Sequence, residues 1–126
     1  MAKQKQDALA ALLGADLNVE TSVPMKRLGV DLIVKAVDGK TIGRLTEQST
    51  FGKTLDEQKF GGNIIATACT NLNFGDSKLL EKYGASDAGD CVQKALLAGE
   101  IARLSKAIMD ISGFGDFDAQ VDEAKN

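Results

Sequence analysis

Apolar residues recur along this chain at two different spacings, and the changes of spacing separate its elements. Phe60, Ile64 and Ala68 fall every fourth residue, with Ile65 and Leu72 beside them and Gln58, Asn63 and Thr67 turned away. That is one stripe of an amphipathic helix. Thr54 and Glu57 have the spacing of a capping box, in which each side chain takes up the other's unpaired backbone N–H, so the helix is expected to start at Thr54 or, in a shorter version, near Asn63. Gly61 and Gly62 each cost about 1 kcal/mol against alanine inside a helix, which points to another element approaching the backbone closely.

On the amino-terminal side the period drops to two. Val30, Leu32 and Val34 alternate with Asp31, Ile33 and Lys35, predicting a half-buried strand, and a turn at Leu28-Gly29 or Gly29 alone would pair it with a strand over residues 25–27. Pro24 lacks a ladder donor and belongs at the start or edge of that strand. Ahead of it, residues 7–13 predict a short helix with Leu9, Leu12 and Leu13 on one side and Gly14 at its end. The polar residues 15–22 isolate this arm, which would either pack on its own domain or serve as a contact element.

Further helices are predicted after Asp38, with Ile42 and Leu45 inward; after Asp76-Ser77, closed by Gly84; and after Ser86, through Cys91, Val92, Ala95 and Leu96. The last carries Ile101, Leu104, Ile108 and Ile111 at three- and four-residue spacings and stops at Gly113. The expected fold is a small α+β domain, predominantly helical, with an N-terminal antiparallel β-hairpin packed against a helical bundle. Residues 1–22 form its arm, 23–114 the domain, and 115–126 an acidic segment with too little apolar surface to hold a unit of its own, expected to be mobile.

Composition narrows the function by removing possibilities. A length of 126 residues suits one domain, and a net charge of -3 with no dense basic block argues against nucleic acid as a partner. The apolar patch in residues 1–14 is too short to span a membrane. There is no histidine, so the usual general base and commonest metal ligand are missing. Cys69 and Cys91 do not have the spacing of zinc-ligand pairs and read as two free, mostly buried thiols. Gly39-Lys40-Thr41 and Gly52-Lys53-Thr54 look like the end of a phosphate loop, but the glycine required five residues earlier is Val34 in one and Glu47 in the other. No catalytic, cofactor or metal site is therefore expected. A protein-binding module is the leading class, with Leu9, Leu12, Leu13, Phe74, Leu97 and Phe114 as candidate contacts. A structural or homo-oligomerising subunit would use the same apolar residues.

The runs RLGVDLIVKAVDGKTIGRLTEQST, DEQKFGGNIIATACTNLNF and LLEKYGASDAGDCVQKALLAGEIARLSKAIMDISGF, with a terminal VDEAKN, resemble the XkdN-like tail assembly chaperones of bacteriophages and prophages. The likeness covers residues 25–114 and the last few. Gly61 and Gly62 depart from the family pattern, where better helix formers are usual. The resemblance implies a non-enzymatic protein, without cofactor, that binds the tape measure protein and keeps it soluble while the tail tube assembles. It implies work in the host cytoplasm and absence from the mature virion; the alternative is a tail component that stays in the virion. The major tail tube protein and a longer, frameshifted form of the chain are further partners it suggests, the latter because Ala124-Lys125-Asn126 is compatible with adenine-rich codons.

Overall fold

The computed structural model describes residues 7–16 and 18–114. In chain order these are α1 (Ala8–Leu13), β1 (Glu20–Met25), β2 (Val30–Lys35), α2 (Gly39–Gln48), β3 (Thr50–Phe51), β4 (Thr54–Leu55), α3 (Glu57–Ala68), α4 (Ser77–Tyr83), α5 (Ala88–Ala95) and α6 (Ala98–Ile111). The architecture is α+β and mainly helical, and the β1–β2 hairpin packs against the helices as expected. The acidic segment 115–126, expected to be mobile, lies outside the described residues.

The hairpin is antiparallel, running from Glu20 opposite Lys35 to Met25 opposite Val30, and Gly29 supplies the left-handed turn residue at φ 72°. Its first strand starts earlier than the sequence reading placed it, and Lys26 and Arg27, read as strand, belong to the turn. Thr21, Val23 and Met25 alternate inward with Glu20, Ser22 and Pro24 outward, a period-two pattern hidden in a stretch that looked like polar linker. Val30 was expected on the buried face. It sits beside the turn and is 56% exposed, while its cross-strand neighbour Met25, with a longer side chain, is buried.

The two edges of this sheet differ. The Ala36 N–H donates to the Val19 carbonyl at 2.8 Å. The alternation from that pair puts Pro24 where its nitrogen points away from β2, so the missing donor leaves no gap in the ladder. On the far side of β2, the Thr70 N–H donates to the Ile33 carbonyl at 2.8 Å. Asn71 completes that edge with its side chain: its Oδ1 accepts from the Ile33 N–H and its Nδ2 donates to the Asp31 carbonyl, both at 2.9 Å. A primary amide carries the donor and acceptor of a peptide group, so one side chain stands in for a third strand.

Helix α3 runs through the middle of the core. Ile64, Ile65 and Ala68 are fully buried on it, facing Val23, Leu32 and Val34 of the hairpin, Leu45 of α2, Cys91 and Val92 of α5, and Leu104 and Ile108 of α6. The expected Thr54–Glu57 capping box does not form. Residues 50–55 fold into the small β3–β4 hairpin around Gly52 (φ 65°), which places Thr54 in a strand and leaves Asp56 as the cap, its Oδ1 accepting from the Lys59 N–H at 3.1 Å. In the same way Asp87, not Ser86, caps α5: it accepts from the Asp90 N–H at 2.8 Å, and the Asp90 carboxylate accepts the Ser86 N–H in return. Leu72 falls beyond the end of α3 but still packs against the core.

Of the two adjacent glycines, only Gly62 meets another backbone. A Cβ there would stand 2.5 Å from the Gly89 carbonyl oxygen, and one on Gly89 would fall within van der Waals overlap of the Asn63 amide. Helices α3 and α5 therefore cross glycine to glycine. Asn63, expected to face away, fills the space beside the crossing, and its Nδ2 donates to the buried Ser49 Oγ at 3.3 Å. At Gly61 a Cβ would find ordinary van der Waals neighbours at 3.6 Å and 3.7 Å.

The adjacent glycines should respond with opposite signs to alanine. Gly61→Ala gains helix propensity without a clash and should stabilise the protein by up to about 1 kcal/mol. Gly62→Ala forces the helices apart and should destabilise it by about 1–3 kcal/mol. Urea unfolding of both variants checks this, and equal shifts would contradict the crossing.

Candidate partner-binding surface

The sequence-derived contact residues divide into three groups. Leu9, Leu12 and Leu13 project from α1 with exposures of 71%, 76% and 77%. The arm is folded locally, with the Asp7 Oδ1 accepting from the Ala10 N–H at 3.1 Å, but no residue of α1 is buried. Its leucines stand outside the core cluster formed by the described residues. Phe74 is the opposite case. It is 2% exposed, filling the core ahead of α4, and its place there removes it from any contact surface in this conformation.

Leu97 and Phe114 are both exposed, at 59% and 47%, but the structure does not bring them together. They flank α6, whose 14 residues span roughly 21 Å at the usual rise of 1.5 Å per residue. Leu97 lines an open recess of about 540 Å³ with Pro24, Lys26, Arg27, Gly99 and Arg103. Phe114 lines another, of about 500 Å³, with Val19, Val37, Ile42 and Ile111. The α1 leucines line neither of these.

An ion pair fixes the first recess. Arg27 grips Glu100 in a two-point contact, Nε to Oε2 at 2.9 Å and Nη2 to Oε1 at 2.7 Å, and Nη2 also donates to the Ala95 carbonyl at 3.2 Å. Glu100 is buried and also accepts the Leu97 N–H at 2.8 Å, one half of a capping box whose other half leucine has no acceptor to supply. The β1–β2 turn is thereby tied to the start of α6. The Arg27 guanidinium, then the Leu97 N–H, hold the Glu100 carboxyl down to about 2, against an ordinary value of 4.5.

Sequence reasoning missed the exposed apolar residues of the β3–β4 hairpin, as it did Leu28 and Val30 beside the β1–β2 turn. In the β3–β4 hairpin Phe51 and Leu55 are 58% and 40% exposed, with the Lys59 ammonium 4.8 Å from the Phe51 ring centre. The signal was Gly52 between two short β-prone pairs, Thr50-Phe51 and Thr54-Leu55. The thiols are as expected: Cys69 is half-buried, Cys91 buried, and both are free. Burial pushes both upward, and the neighbouring Asp90 charge pushes Cys91 further, so neither is an activated nucleophile. No helix among the described residues is long and apolar enough to cross a membrane.

A family model for the phage XkdN-like tail assembly chaperone protein matches residues 9–125. The chain belongs to this family. The match takes in the α1 leucines as well as the domain, more than the runs that first suggested the resemblance. The tail assembly chaperone is also similar to a solved structure, the crystal structure of the protein yqbn. The two are 28% identical with a TM-score of 0.65, over 79% of this chain and 89% of that one. A search of curated proteins found no match. For an XkdN-like chaperone, partners among the proteins of the phage tail follow from the family.

The lowered Glu100 carboxyl makes this chaperone acid-sensitive in a defined window. Above about pH 4.5 the group is ionised whether folded or unfolded, and the pair contributes fully. As pH falls from there toward 2 the unfolded chain takes up the proton first, and the contribution is lost. Thermal melts should show the wild type more stable than Glu100→Gln at pH 7, with the gap closing between pH 4.5 and 2; a constant gap would mean the pair is not formed in solution.

Proposed function

We propose that this chain is a non-enzymatic chaperone that binds the phage tape measure protein and keeps it soluble while the tail tube assembles around it. The observation that carries the reading is the α1 arm: three leucines, each more than two-thirds exposed, on a helix with a side-chain cap and no buried residue of its own. Family membership supports the same direction. An elongated helical protein with apolar faces aggregates unless those faces are masked, and an apolar helix laid along them masks them without chemistry. Phe51 and Phe114 extend the available apolar surface to two further places. Because incoming tube subunits must displace the chaperone, several modest contacts serve better than one deep pocket. The protein would act in the host cytoplasm and be absent from finished tails.

Co-expression with the tape measure protein of the same phage or prophage, followed by size-exclusion chromatography with light scattering, tests this. The expected result is a soluble complex; an insoluble tape measure with the chaperone eluting alone would refute direct chaperoning. Leu12→Ser should leave stability within about 0.5 kcal/mol of wild type, since the residue is 76% exposed, yet weaken the complex about fivefold or more. Mass spectrometry of purified tails should find no copies of the chain, whereas a stoichiometric amount would mark a retained tail component.

A further inference from the structure

The recess at Leu97 is both apolar and positively charged. Pro24, Leu97 and Gly99 are exposed around it, and Lys26, Arg27 and Arg103 bring three cations against the single carboxylate of Glu100. That carboxylate is already taken by Arg27 in the two-point contact. Among the described residues neither Lys26 nor Arg103 has an ion-pair partner. Arg103 is close enough for its charge to help hold the Glu100 carboxyl down. Two uncompensated cations thus flank an exposed leucine on a chain whose net charge is -3. The arrangement is also held in place: Arg27 anchors the turn that bears Lys26 to the helix that bears Arg103.

We infer that this recess docks an acidic amphipathic helix of a partner protein, with an apolar side chain set against Leu97 and Pro24 and carboxylates beside Lys26 and Arg103. The inference rests on the reading of the chain as a protein-binding chaperone and adds the chemistry of the segment bound at this site. Charge complementarity selects the sign of the partner, and the apolar floor selects a protein. A nucleic acid would need many more phosphate contacts than two free cations provide. Desolvating an exposed leucine beside opposite charges gives specificity that the uncharged α1 leucines lack. The two surfaces would hold different stretches of one elongated partner, so that their combined affinity exceeds either alone.

The test uses the full chain and two synthetic helical peptides of about four turns, roughly 14 residues, one with leucines flanked by glutamates and its counterpart with lysines at the glutamate positions. Fluorescence anisotropy should show the acidic peptide binding at least tenfold tighter than the basic one, and binding should weaken as salt rises. Lys26→Glu with Arg103→Glu should reverse that preference, and the neutral pair Lys26→Gln with Arg103→Gln should abolish it if the reversed protein does not fold. Leu97→Ser places a good helix-capping residue at the N-cap, so the fold is retained, and should still weaken the acidic peptide at least fivefold. No binding of either peptide, equal binding of both, or indifference to the charge variants overturns the inference. So does a tenfold gain in affinity when Asp116, Asp118, Asp122 and Glu123 are neutralised together, because the chain's own acidic segment would then be the occupant. A tape measure complex that forms normally with the Lys26→Glu, Arg103→Glu protein would overturn this site while leaving the proposed function intact.

Discussion

Helices α3 and α5 lie close where Gly62 meets Gly89, and a Cβ at Gly62 would collide with the Gly89 carbonyl oxygen and one at Gly89 with the Asn63 side chain. Much follows from that crossing. It lets Asn63 reach Ser49, which holds the end of α2 against α3, and it brings Cys91 and Val92 of α5 into the same core as Ile64 and Ile65. Helix α6 and the hairpin then close over the other sides of α3. The two glycines weaken their helices locally, and the dense packing that close approach allows offsets that weakness.

With the core filled from the middle of the chain, the exposed apolar residues lie at separate places, among them the α1 arm, the β1–β2 turn, the β3–β4 hairpin and the two flanks of α6. On the function proposed above, separated contact points would grip a long partner loosely at each and release it stepwise. A single deep cleft would give higher affinity and slower release, which suits storage better than assembly. The Arg27–Glu100 pair also keeps the β1–β2 turn and the start of α6 in a fixed relation.

Periodicity revealed the elements that bury a face. The stripes of α3 and α6, the Asp38 and Asp76 caps, and the Gly84 stop all stand where their spacing put them, since burial on one side imposes a pattern that sequence must carry. What escaped was set by tertiary partners. Glu20–Ser22 look like linker until β2 pairs with them, Thr54 looks like a cap until the β3–β4 hairpin claims it, and Gly61 and Gly62 are indistinguishable until α5 is present. Candidate contacts followed the same division. Leu9, Leu12, Leu13, Leu97 and Phe114 lie outside as sequence suggested, but Phe74, on no periodic stripe, gave no sign that it fills the core. The Lys26 and Arg103 juxtaposition joins residues far apart in sequence, with nothing local to announce it.

Asn71 gives the sheet an unusual dependence. Backbone pairing along a strand edge survives most substitutions, because every residue brings the same N–H and carbonyl. Here part of the edge beyond β2 is closed by one side chain, so its closure is a property of residue identity and can be lost in a single step. Conversion of Asn71 to aspartate, by mutation or by slow deamidation in an ageing protein, would set a carboxylate oxygen against the Asp31 carbonyl and leave a strand edge uncovered. The closure of that edge is thereby linked to the chemistry of one amide, a dependence that a third strand would not have imposed.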